Sequence, residues 1–137
     1  MTQDDPTTAS TRAVVERFYE LAEANKPEAI AEILDPDVVN WEAESLPYAG
    51  AYRGREAVVG LLRVLFNGIE LGTVNHIAIL ADGERAASFL EVPFTFDNPD
   101  LPNVMPIIET FLVRNGLIVE IRPYYFDSAA IGAKRRK

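Results

Sequence analysis

The sequence predicts an α+β domain in which helices come first and an antiparallel sheet follows. Apolar residues recur at helical spacing through the first half, at Val14, Val15, Phe18, Leu21 and Ala22 and again at Val58, Val59, Leu62, Leu65 and Phe66. After Gly68 this period gives way to long β-like runs. Asp82-Gly83 and Asn115-Gly116 join those runs in pairs, as tight hairpins require. Segregated helices and strands of this kind pack as helices on one face of a sheet.

Taken in order, residues 1–9 read as a flexible polar tail, and Ser10 or Thr11 as the N-cap of a helix from Thr11 to Ala24. Asn25-Lys26-Pro27 breaks it, and Pro27 suits the first position of a second helix reaching Leu34. Val38 to Glu42 is extended, and residues 43–53 form a Pro- and Gly-marked loop. A third helix spans Arg55 to Phe66 and closes at Asn67-Gly68. The strands expected are Ile69–Ala81, Glu84–Phe96, Ile107–Arg114 and Leu117–Phe126, with a Pro-rich loop between the hairpins. Asp127-Ser128 caps a terminal turn through Ile131. The domain is expected to cover residues 10–132, with 133–137 as a basic tail.

Composition narrows the function. The chain has 137 residues, the size of one domain, and a net charge of −8. That acidity disfavours a phosphate backbone, so no nucleic-acid partner is expected. There is no cysteine, which removes thiol catalysis and thiolate metal sites. No apolar run approaches the ~18 residues of a membrane span, and the first residues lack a signal-peptide pattern, so the expectation is a cytoplasmic protein without a membrane partner. Alternation along Glu84–Phe96 leaves both parities apolar, so a homodimer through the outer sheet face is expected.

The stretch from Asn40 to Val59 is where chemistry is expected, because it sets a carboxylate just ahead of an ordered loop and a helix. Glu42, Glu91 and Glu109 each stand inside an expected strand with apolar neighbours. Burying a charge costs several kcal/mol unless it is paired or protonated, so each is a candidate for a raised pKa and for proton transfer near neutrality. His76 is the only histidine, which excludes a His-rich metal site; it reads as structural, and neither metal nor cofactor is expected. The tyrosines at 48, 52, 124 and 125 read as wall or interface residues able to donate to a substrate oxygen.

The segments VVERFYELAEANKPEAIAEILDPDVV, LPYAGAYRGREAV and NGLIVEIRPYYFD together resemble the SnoaL-like branch of the nuclear-transport-factor-2-like superfamily. The resemblance implies three N-terminal helices in the concave face of a strongly curved mixed sheet, around an apolar pocket that Phe18, Trp41, Tyr48, Tyr52, Phe89 and Tyr125 would line. By analogy with ketosteroid isomerases, Glu42 matches the proton shuttle and Glu109 the neutral acid of the oxyanion hole, whose tyrosine falls on Phe18. Against limonene-epoxide hydrolase, Glu91 matches an acid, but its arginine falls on Phe89, its second aspartate on Pro123 or Tyr124, and its water-holding pair on Trp41 and Ala43. The function implied is isomerase- or cyclase-type proton transfer on an apolar, steroid- or polyketide-like carbonyl compound, with Glu42, Glu109 and Glu91 catalytic. The alternative is a non-catalytic module that binds an apolar ligand or dimerises.

Overall fold

The computed structural model describes residues 5–68 and 74–135. Helix α1 (Pro6–Glu23) is followed by a short α2 (Pro27–Ile30) and one 3-10 turn, then β1 (Leu34–Glu42), β2 (Gly50–Arg53) and α3 (Arg55–Gly68). The meander β3 (Asn75–Asp82), β4 (Arg85–Pro93), β5 (Val104–Arg114) and β6 (Leu117–Tyr125) comes next, and α4 (Ser128–Arg135) ends the described chain. One six-stranded mixed sheet has the order β2-β1-β6-β5-β4-β3, with β1 parallel to β6 and the other pairs antiparallel. Four helices on this sheet make the α+β fold that the residue pattern predicts.

Several boundaries move, each for a local reason. The first helix starts at Pro6, not Thr11, because Asp5 is the N-cap and accepts the Thr8 amide at 2.7 Å. Its first turns are tied to a distant hairpin. The Gly83 amide donates to Thr8 Oγ1 at 2.8 Å, and Thr11 Oγ1 donates to the Gly83 carbonyl at 2.6 Å. The second helix stops at Ile30, since Leu34 already belongs to β1. Within the expected loop, Gly50–Arg53 pairs with β1 as an edge strand. Gly54, at a φ of +89°, lets the chain leave that strand and begin α3, its amide donating to the Val38 carbonyl at 2.7 Å. The basic end is helical through Arg135, and Lys134 lies over the Phe94 ring at 5.6 Å. Part of the expected strand over residues 69–81 lies outside the described residues.

Both hairpin signals hold. Asn115 and Gly116 have φ of +52° and +76°, the backbone a two-residue type I′ turn needs, and Arg114 faces Leu117 across it. The other turn is shifted by one: Asp82 pairs with Arg85, so Gly83-Glu84 forms the loop. The core fills the space between α1, α3 and the inner sheet face, with Val15, Phe18, Ile30, Val58, Leu62, Met105, Phe111, Ile118 and Ile121 all buried. Register shifts between His76 and Ala78 and between Leu112 and Val113 interrupt the ladder, and each bends its strand.

Candidate functional site

Strand alternation decides which side chains meet. On β5, Ile107, Glu109 and Phe111 share the inner face; on β4, Ser88 and Leu90 do, and Ser88 stands opposite Glu109. On β1 the inner residues are Val38, Asn40 and Glu42, all buried. Helix α1 brings Phe18 and Tyr19 down onto this face, where both rings meet Phe111 edge to face. Between α1, α3 and the sheet lies a cavity of about 110 Å³, its apolar wall including Phe18, Leu62, Leu90 and Ile107. The polar groups on the same wall are Tyr19, Glu23, His76, Glu109 and Tyr125.

Glu109 faces this cavity from β5, and it accepts the Tyr19 hydroxyl at 2.6 Å. Burial pushes its pKa up, and the Tyr19 bond partly opposes that by favouring the ionised form. The Tyr19 hydroxyl is itself held far above its ordinary range by burial and by the Glu109 charge, so it stays a donor. Ser88 Oγ is buried close by, with no hydrogen-bond partner among the described residues.

Glu42 is 8% exposed, and burial pushes its pKa up to about 8. The Asn40 amide, donating to Oε2 at 2.6 Å, works against the rise, and the Glu109 charge adds to it. Its other oxygen, Oε1, has no partner among the described residues. Glu42 is not on the cavity wall. Tyr125 stands between, bordering both the cavity and an open recess of about 450 Å³ lined by Trp41, Glu42, Ala43 and Arg122. The Tyr125 hydroxyl lies 3.0 Å from that of Tyr48, and burial together with the Glu42 charge drives its pKa far upward. Tyr52 donates to the Tyr48 carbonyl at 2.9 Å and so fixes the loop that carries Tyr48.

The two carboxyls are thus held in different ways. Glu109 has a hydroxyl donating to it, whereas Glu42 has a bare oxygen and feels the Glu109 charge. Both carboxyls are pushed up by burial, and below about pH 8 Glu42 carries a proton.

The expected site is only partly assembled. Glu109, Phe18 and Tyr125 line the cavity; Glu42, Tyr48 and Tyr52 stand behind Tyr125. Glu91 does not join them: it pairs with Asn75, whose amide donates to it at 3.1 Å, and it shares the opposite face with Phe89. Trp41 alternates with Asn40 and Glu42 and also leaves the cavity side, where the Arg53 and Arg122 guanidiniums lie 5.3 and 5.2 Å from its ring. The hydroxyl that Phe18 lacks is supplied one residue later by Tyr19. A sequence signal for it existed, because Tyr19 is four residues after the buried Val15 and so falls on the same helix face. Among the described residues no cluster of acids and histidine could hold a metal ion.

The family model of the SnoaL-like domain matches residues 15–121, which include the second half of α1, Glu42, His76 and Glu109. The chain belongs to the SnoaL-like domain family. Among solved structures, a nuclear-transport-factor-2-like protein of unknown function from Mesorhizobium loti superposes with a TM-score of 0.73 at 21% identity, covering 91% of this chain and 98% of that one. A proposed SnoaL-like polyketide cyclase from a Jannaschia species gives 0.71 at 18% identity, covering 97% and 99%. A proposed ketosteroid isomerase from Kribbella flavida gives 0.64 at 19% identity, covering 88% and 80%. At these identities the likeness shows the fold alone. A comparison with curated protein sequences finds no match. For this SnoaL-like chain, no described helix is long and apolar enough to cross a membrane.

Proposed function

We propose that this SnoaL-like protein catalyses proton transfer next to the carbonyl group of a compact apolar compound. The observation that carries the reading is a half-buried carboxyl, Glu109, held by Tyr19 on the cavity wall, with the buried Glu42 behind Tyr125 kept neutral near pH 7. Glu109, ionised and held by Tyr19, takes the proton alpha to the carbonyl. The enolate oxygen accepts from Tyr125, which the neutral Glu42 and Tyr48 back. A proton then returns to another carbon, so the net change is an isomerisation. These roles are the reverse of those that the ketosteroid-isomerase analogy gives Glu42 and Glu109. The cavity also argues on size. At about 110 Å³ it approaches the ~150 Å³ of apolar space that takes up benzene, and lies below the hundreds of Å³ typical for larger ligands. A monocyclic substrate suits it better than a four-ring steroid.

Binding of substituted phenols, which mimic an enolate, tests the oxygen site. Fluorescence titration is expected to show phenols binding more tightly than matched hydrocarbons, and Tyr125→Phe weakening the phenols by about tenfold, the loss of one buried hydrogen bond. Equal binding of phenols and hydrocarbons would favour the second reading, a non-catalytic apolar-ligand module. That reading draws support from the pairing already present between Tyr19 and Glu109 and between Tyr48 and Tyr125.

The same proposal includes a homodimer. Phe89, Ile108 and Tyr124 form one apolar row across β4, β5 and β6 on the outer face, and Ile108 and Tyr124 are 39% and 55% exposed. Light scattering is expected to give a dimeric mass that Ile108→Glu reduces to a monomer. A monomeric wild type would refute the dimer.

A further inference from the structure

His76 and Glu23 sit on the cavity wall, and the proton transfer argued above uses neither. His76 Nε2 lies 3.1 Å from Glu23 Oε1, and its ring meets the Tyr19 ring edge-on at 5.0 Å. Tyr19 is the residue that holds Glu109, so the imidazole and the carboxyl base flank one side chain. The backbone is shaped for this placement. The register of β3 shifts between His76 and Ala78, so that His76 pairs with the inward Leu90 while Ile79 pairs with the inward Ser88. In an unbroken strand those two positions would face opposite ways, and the bulge allows both to face the core. The His76 and Glu23 side chains are 30% and 57% exposed, which puts the pair at the mouth, in contact with water.

We propose that His76, oriented by Glu23, is a second proton-transfer group of this cavity, and that it delivers a solvent-derived proton to the carbon that Glu109 does not serve. The inference rests on the proton-transfer reading above. Glu109 takes the α-proton and the enolate forms. The imidazolium N–H then gives its proton to the distant carbon as the double bond shifts. Glu109 releases its proton to water and His76 takes one from water, so the substrate is isomerised with one of its hydrogens exchanged for a solvent hydrogen. With Nε2 turned to Glu23, Nδ1 is the nitrogen that hands over the proton, and the carboxylate fixes the orientation of the ring.

The test uses 3-cyclohexen-1-one, a monocyclic ketone that isomerises to the conjugated enone, incubated with the whole protein in deuterated water. The deuterium content at the carbon that gains hydrogen is read by NMR. The wild type is expected to give product with nearly complete deuteration there. His76→Gln is expected to turn over more slowly and to return mostly the original hydrogen through Glu109, with the deuterium content falling several-fold. Glu23→Gln changes an exposed side chain and serves if the first variant folds poorly; it should shift the isotope content the same way by a smaller amount. A merely structural histidine could lower the rate but not change where the hydrogen comes from. Unchanged deuteration in both variants overturns this inference and leaves the Glu109 reading standing. No conversion by the wild type, with Tyr125→Phe also without effect on phenol binding, overturns both.

Discussion

Glu109→Gln is expected to lower the rate of cyclohexenone isomerisation by about 10²- to 10⁴-fold, the usual contribution of a positioned acid–base group. Phenol affinity should stay within a few-fold, because the amide oxygen can still accept from Tyr19 and the side chain fills the same volume. This is a change in kcat with little change in ligand binding, as expected when an interaction belongs to the transition state alone. The pH profile follows from the same geometry. Activity requires Glu109 ionised, so the rate climbs as pH rises through its elevated pKa. It also requires Glu42 protonated to support Tyr125, so the rate falls again as pH passes about 8. The two carboxyls feel each other's charge, so both limbs belong to the pair. A Glu109→Gln variant with wild-type turnover would sink the assignment of the base. A rate that keeps climbing well above pH 8 would sink the role given to Glu42.

What the sequence made legible follows the range of the interactions involved. Helical spacing, the turn dipeptides and the Pro27 break depend on near neighbours, and these elements formed close to where they were expected. The start of α1 was hidden because its polar residues look like a tail until Thr8 and Thr11 meet Gly83, more than seventy residues away. The parallel pairing of β1 with β6 cannot be read from local patterning, although the family resemblance implied a mixed sheet. Facing was the harder problem. Glu42, Glu91 and Glu109 look alike in sequence, each an acid in an apolar strand. The pairing Phe89↔Ile108 and Ser88↔Glu109 sends Glu91 and Glu109 to opposite faces. His76 reads as structural because its inward placement depends on a bulge that leaves no mark in composition. Tyr19 was the one miss that helical spacing could have caught.

Glu42→Gln is expected to stabilise the protein at alkaline pH while damaging its function. In the unfolded chain this carboxyl ionises near its ordinary value of 4.5, whereas in the folded protein it holds its proton to about 8. Between those limits the folded state binds more protons than the unfolded one, so stability falls as pH rises through this window and levels off above it. At ~1.4 kcal/mol for each pH unit of that gap, the wild type loses at most ~5 kcal/mol from this one group. The glutamine variant keeps a side chain of the same shape, can still accept from Asn40, and has no charge to bury. It should match the wild type near pH 4.5 and exceed it by several kcal/mol above pH 8, a large share of the stability of a domain this size. Urea denaturation across that range measures the difference directly. Midpoints for wild type and variant that run parallel with pH would mean that Glu42 ionises freely in the folded protein, and the neutral acid behind Tyr125 would go with it. Diverging midpoints combined with weaker phenol binding would give the buried acid a reason to be there. Folding alone would favour the amide, so the cost of the carboxyl is carried for the proton it keeps.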